Sequence, residues 1–539
     1  MAIDLVLLGA RVFGYPGGDA TAVAVRGDRV AAVGTDAEVR SVAGPRTEVL
    51  DLPGRMLVPG FQDAHVHPAE SGRDRLLCDL SEIDDAAGSI DAVAAYARSN
   101  PDVPWILGSG WSMAAFPGGI PRRDQLDTVV PDRPVYLLSR DGHSGWVNTR
   151  ALELAGITAS TPDPDDGRIE RDPSTGEAVG TLQEGAIRLV EDLVPEPTTE
   201  EWEAGILEGQ RYLHSLGITA WQDARVEAPI QAAYVALAER GALTGRASLS
   251  MWWDNRRGPE QVEELRELRG AWPNLRAGTV KIFLDGVVEN FTAHLLEPYL
   301  DRSGTPTENR GMPMADPETL PGHVSMLHRE GFQVHFHAIG DGAVRLGLDA
   351  VEAAVNAEGR QDLRHHIAHL QLVHPDDIPR FATLDVMANA QALWACHEPQ
   401  MDGMTIPFLG PERSARQYPF GSLARSRARL AMGSDWAVST ADPLSQIEVA
   451  TTRVAPETRD REPFLPEERL DLETALTAFT AGSAYVNHLD RETGTIEPGK
   501  LADLAVIDRD VLAPGAGPIG DARVELTLVG GRVAHDALR

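Results

Sequence analysis

The chain has 539 residues, 42% hydrophobic and 24% charged, with a formal net charge of −32 and two cysteines. That length exceeds one ordinary core and predicts two or three structural units. The acidic balance excludes nucleic acid and anionic membrane as partners, since both would be repelled, and Cys78 and Cys396 exclude a disulfide framework and read as reduced thiols of a cytoplasmic protein.

The N-terminal run "MAIDLVLLGARVFG" has no basic leader, and Asp4 and Arg11 interrupt its apolar residues, so it predicts a strand. No stretch approaches ~18 uninterrupted apolar residues, so no membrane span is expected. Short strands with Gly and Asp turns fill residues 1–57, and the same pattern returns over 487–539. The two ends therefore predict one small composite β-sandwich. Between them, over 58–486, β-branched and apolar runs alternate with helical segments, the signature of βα units. Eight such runs, from "MLVPGFQDAHVH" to "ARLAMGSDWA", predict an α/β fold with a (β/α)8 TIM-like barrel. Strand 1 and strand 2 lie too far apart for one crossover helix. About residues 75–190 are thus read as an inserted subdomain after strand 1, placed over the C-terminal face of the barrel.

Barrel enzymes carry their reactive groups at the C-terminal strand ends. In "GFQDAHVH" the i, i+2 spacing points His65 and His67 to one side of strand 1. With 16 His in the chain, about half an H-x-H arises by chance, so the pair alone decides nothing. The other strand ends add weight: Lys281 on strand 4, His337 with His335 on strand 5, His369 with His365 and His366 on strand 6, and Asp435 on strand 8. A buried Lys or Asp is costly unless paired or metal-bound. His335 reads as a second ligand, a satisfied barrel histidine or a group behind the ligands. Lys281 reads either as part of the site or as an ion pair with Asp285. Asp223 reads as an acid behind the ligands at the end of strand 2 or, by preference, as a cap of the next helix.

In their order and spacing, "LVPGFQDAHVH", "DGHSGWVNTRAL", "VKIFLDG", "FHAIGDGA", "RHHIAHLQLVHPDDIPRF", "GSDWAV" and "GTIEPGKLADLAVID" resemble the amidohydrolase superfamily. Within it, the chain is similar to the YtcJ-like branch that includes N-substituted formamide deformylases. The resemblance implies two Zn²⁺ ions per chain, with other divalent metals as alternatives. It implies that His65 and His67 bind the more buried ion and His337 and His369 the more exposed one. Lys281, carboxylated, would bridge the two, and Asp435 would bind the buried ion and contact the attacking water. Desolvation favours the free amine that CO₂ requires. Strand 6 departs from the pattern, with Ala368 where the branch has an acidic residue, so a group supporting a ligand is expected to be missing.

The expected activity is hydrolysis of a C–N bond in an amide, N-acyl or N-formyl amine through a metal-bound hydroxide, with Asp435 as proton shuttle. Cyclic amides or carbamates are the alternative substrates, and a non-catalytic regulatory or binding barrel is the alternative class. His143, in "DGHSGWVN", reads as either a packed loop residue or a substrate contact. Trp221, Trp394 and Trp436 at strand ends, and Trp111 and Trp146 in the inserted segment, suggest an apolar or aromatic pocket for a small molecule. His143, Trp146, Trp221, Trp394 and Trp436 are the expected substrate contacts, and a homodimer is expected.

Overall fold

The computed structural model describes residues 2–538 except positions 82 and 165. The chain divides into two compact units, one formed by Met1–Val66, Gln210–Asp435 and Ala441–Arg539, the other by His67–Gly209 and Trp436–Thr440.

In the first unit, period-2 apolar runs at both chain ends pair into two sheets. A four-stranded sheet has the order Arg29–Gly34, Ala22–Arg26, Leu5–Leu8, Glu48–Asp51. A five-stranded sheet has the order Arg11–Val12, Met56–Pro59, Leu504–Ile507, Val524–Val529, Arg532–Asp536. Met56–Pro59 pairs antiparallel with Leu504–Ile507, so the second sheet draws on both ends of the chain. Leu5, Leu7, Val23 and Val25 of one sheet pack with Leu57, Leu504, Val506, Leu526 and Leu528 of the other, giving the sandwich a single core.

All eight expected barrel strands form. They are strand 1 (Phe61–Val66), strand 2 (Ile218–Val226), strand 3 (Arg246–Trp252), strand 4 (Leu275–Phe283), strand 5 (Gln333–Ala338), strand 6 (His366–His369), strand 7 (Met387–Ala390) and strand 8 (Leu430–Met432). Every neighbouring pair from strand 1 to strand 8 is parallel. The seam between strands 8 and 1 is held by the Asn389 amide, which donates to the Ala64 carbonyl at 2.9 Å, and by the Asp435 N–H, which donates to the His65 carbonyl at 2.7 Å. Gly433 is required there, because a Cβ on it would fall 2.6 Å from the His65 nitrogen. Arg246, at the start of strand 3, forks onto Asp503 at 2.6 and 2.9 Å and ties the barrel to the sandwich.

The second unit carries its own six-stranded sheet, in the order Gly167–Arg171, Ala178–Glu184, Ser144–Val147, Val135–Ser139, Ile106–Trp111, Cys78–Asp79. Its core contains Tyr136, Val147, Leu152, Ile169, Leu182 and Ile187. It extends beyond the expected 75–190, because the helix Pro68–Asp74 and most of the helix Thr199–Ser215 belong to it: Arg75 donates to Glu208 at 3.1 Å and Gly72 packs on the Gly205 backbone.

Candidate metal centre

Strand parity sets the inner wall of the barrel. Thr279, Lys281 and Phe283 on strand 4 stand in register with Gln333, His335 and His337 on strand 5, all on the inward parity. His366 pairs in register with His335, and the two rings lie 3.9 Å apart. Alternation would then turn His369 outward. Its backbone breaks the alternation: φ is +80° at His369, a region that costs a residue with a Cβ roughly 1–2 kcal/mol. The ring turns in, with its centroid 4.7 Å from that of His65 and 4.4 Å from that of His337. Asp435 is also left-handed, at φ +54°. Two strained residues, at the ends of strands 6 and 8, mark the place where side-chain direction overrides backbone preference.

His65, His369 and Asp435 are all buried, and their ligand atoms lie within 4.8 Å of one another. His65 Nε2 is 3.2 Å from Asp435 Oδ1, and His369 Nδ1 is 3.9 Å from Asp435 Oδ2. Among the described residues, His369 Nδ1 makes no hydrogen bond although it is buried. Two imidazole nitrogens and a carboxylate oxygen converging in this way fit a divalent cation. His337 stands beside this group, its ring stacked on Phe283 at 4.3 Å and its Nε2 3.4 Å from the Gly286 carbonyl.

Lys281 is fully buried, and its Nζ is 3.5 Å from His335 Nε2. Burial pushes its amine down to about 7, and the Asp435 charge opposes that shift. The ion pair with Asp285 does not form. Asp285 instead accepts from the backbone N–H groups of His294, Ile339 and Gly340, at 2.8, 3.0 and 2.8 Å. Burial, with repulsion from neighbouring cationic groups, also holds His335, His366 and His369 well below the usual imidazole range.

Asp63 was not anticipated. Its buried carboxylate accepts from the His65 N–H at 3.0 Å and the Ser434 N–H at 3.1 Å, pinning strand 1 to the segment that carries Asp435. Burial pushes its carboxyl up to about 7. Its place two residues before His65 was the available signal. Ala368 offers no polar group to a ligand, and Gln391 Oε1 accepts from the backbone N–H of His369 at 2.7 Å.

The aromatic residues separate. Trp394 is half-buried and stacks on His369 at 5.5 Å and 15°. Trp221 lies on the outer face: strand 2 continues to Val226, parity turns Gln222 inward to Gln333, and the indole packs against His214 at 6.2 Å. Asp223 shares that outer face and accepts from the Tyr234 hydroxyl at 2.8 Å, so it caps no helix. Trp252 and Phe283 line the inner wall instead, their rings 5.2 Å apart at 61° and both half-buried.

The remaining candidates belong to the second unit. His67 has its Nδ1 3.7 Å from Glu70, and its N–H donates to the Trp436 carbonyl at 3.0 Å. Trp436 is buried. His143 Nδ1 is 2.9 Å from Glu184 Oε2. Trp146 is fully buried against Trp111 and Phe116, and its indole N–H donates to the Arg122 carbonyl at 3.0 Å.

Comparison with known proteins gives a consistent result. The model described as "Amidohydrolase family" matches residues 48–535. Protein LONG AFTER FAR-RED 3 of Arabidopsis thaliana is 31% identical over 95% of this chain and 88% of its own length. The N-substituted formamide deformylase of Arthrobacter pascens is 29% identical, over 96% and 95%. A crystal structure described as an uncharacterized metal-dependent hydrolase from Pyrococcus furiosus superposes with a TM-score of 0.73 at 26% identity, covering 94% of this chain and all of that one.

Proposed function

The chain belongs to the amidohydrolase family and is a metal-dependent hydrolase of carbon–nitrogen bonds, and on that premise we propose that it cleaves the amide bond of a small N-acyl or N-formyl amine with an apolar or aromatic substituent. The observation that carries the reading is the convergence of His65, His369 and Asp435 beside the buried amine of Lys281. The proposed cations are zinc, two per chain, with Lys281 as a carbamate and His337 beside His369 as a further ligand. Bound zinc lowers the pKa of water toward ~7 and polarises a carbonyl.

The chain's own residues supply the rest. Asp435 takes the proton lost by the attacking water. As the C–N bond breaks, Asp435 returns that proton to the departing nitrogen, so acid and amine leave with atoms balanced. Trp394, Phe283 and Trp252 offer partly exposed ring faces to the apolar substituent. Phe283 and Trp394 also exclude water from the faces of His337 and His369 on which they stack.

The test is a hydrolysis screen of zinc-loaded protein against N-formyl, N-acetyl, cyclic-amide and carbamate compounds with aryl and alkyl substituents. Preferred turnover of an N-formyl or N-acetyl aryl-bearing amine is expected. Preferred turnover of a cyclic amide or carbamate would replace the proposed substrate class.

A further inference from the structure

His335 is not one of the facing ligands, yet both of its ring nitrogens are engaged. Nε2 is 2.8 Å from His65 Nδ1, and Nδ1 is 3.1 Å from Ser250 Oγ. The rings of His65 and His335 meet nearly edge to face, at 81°, and His366 covers another side of His335. All four residues are buried, so water does not adjust this arrangement.

Two imidazoles at that distance bond only if one of the facing nitrogens carries a proton and the other a lone pair. This leaves two proton arrangements. In the first, His65 carries its proton on Nδ1 and donates to His335 Nε2. His335 then carries its own on Nδ1 and donates to Ser250 Oγ. In the second, His335 donates from Nε2 and accepts from the Ser250 hydroxyl, while His65 carries its proton on Nε2, facing Asp435 Oδ1. The two contain the same number of protons. Only the first leaves His65 Nε2 with a lone pair for a cation.

Lys281 distinguishes them. Its Nζ stands 3.5 Å from the same Nε2 of His335. An amine N–H there, retained if the lysine becomes a carbamate, is a second donor aimed at that nitrogen. As a carbamate the lysine nitrogen can only donate, so its N–H suits a lone pair on His335 Nε2 and with it the first arrangement. We propose that His335, backed by Ser250, is the positioning residue that fixes His65 as the Nδ1–H tautomer, leaving Nε2 bare toward Asp435 and the cation. This rests on the metal-site reading of the barrel mouth and assigns a part of it that nothing in the family comparison names. A histidine ligand is oriented by what its other nitrogen bonds, and removing such a partner typically weakens metal binding ~10–100-fold.

The experiment measures zinc affinity by competition with a fluorescent chelator, and melting of the metal-free form, for the wild type, His335→Leu, His335→Gln and Ser250→Ala. Leucine removes the acceptor, whereas the glutamine amide oxygen can accept from His65 Nδ1. We expect the Leu variant to bind zinc at least ~10-fold more weakly than wild type and the Gln variant within ~3-fold of it, with similar melting of both metal-free forms. Ser250→Ala, which keeps the imidazole, should weaken binding about 3-fold or more, and it carries the test if the Leu variant does not fold. Equal affinity in the Leu, Gln and wild-type proteins overturns the proposal, as does unchanged affinity in Ser250→Ala. A wild-type chain that takes up no zinc overturns the metal reading itself, a result distinct from either.

Discussion

The barrel is polar at two levels, and they differ in what their polar atoms meet. At the base, Gln333 uses all its amide positions. Its oxygen accepts from Gln222 and Thr279 at 3.3 and 2.7 Å, and its nitrogen donates to the Arg364 and Val486 carbonyls at 2.7 and 2.9 Å. At the mouth, ligand atoms of His65, His369 and Asp435 lie within 4.8 Å of one another. Polarity alone therefore does not mark the site, since both levels are buried and hydrophilic. What marks it is the convergence of imidazole and carboxylate ligand atoms, with the buried His369 Nδ1 making no hydrogen bond among the described residues, an arrangement that a cation would satisfy.

Substitutions at the two levels can break this contrast. The largest effect is expected for His369→Ala, which should lose zinc and at least ~1,000-fold in kcat/KM together. Retention of both would remove the ligand assignment. Next is Lys281→Met in protein stripped of metal. Burial pushes the folded amine down to about 7 from 10.5, so between these values the unfolded chain binds a proton that the folded chain does not. Metal-free stability should therefore fall as pH drops through that window and level off below it, and the Met variant should lack this slope and gain on the order of 4 kcal/mol at pH 7. Denaturant titrations at pH 7 and pH 10 measure it, and parallel behaviour of the two proteins would refute it. Asp435→Asn should lower kcat at least ~100-fold while keeping much of the zinc. Near-normal kcat in the loaded variant would exclude proton transfer. The smallest effect is at the base: Gln333→Leu should cost about 1–3 kcal/mol of stability by leaving its partners unpaired. Its zinc affinity should stay within about 2-fold of wild type. A large loss of zinc there would show that the two levels are not separable.

The eight strands were legible because each is an apolar run with a turn signal at its end, and burial on both sheet faces demands that pattern. His65, Lys281, His337, His369 and Asp435 were legible as polar residues at the ends of such runs. The side chain of His369 was legible only in part, since parity misdirects it and a left-handed backbone corrects the direction. Trp221 misled because it was read as a strand end facing the mouth, whereas strand 2 runs on to Val226 and its alternation turns Trp221 outward. Trp252 and Phe283 were missed for a related reason. "MWWD" offers two adjacent tryptophans, and which one faces inward depends on a register that the chain alone does not reveal. The bond between His335 and His65 joins residues 270 positions apart, a separation at which no local pattern operates.

The five-stranded sheet has a consequence for how the protein is made. Met56–Pro59 leaves the ribosome early, but its partner Leu504–Ile507 follows about 450 residues later. At ~5–20 residues per second that wait is roughly 20–90 s. Throughout it, one edge of an apolar strand stays open to any other nascent β-segment, including the same strand on a neighbouring chain. Arg11–Val12 can cover the opposite edge from the start, because it has already been made. Yield in a heterologous host should thus depend on translation speed and on chaperones that shield strand edges, with slow or stalled ribosomes yielding aggregate even when every residue of the catalytic site is intact.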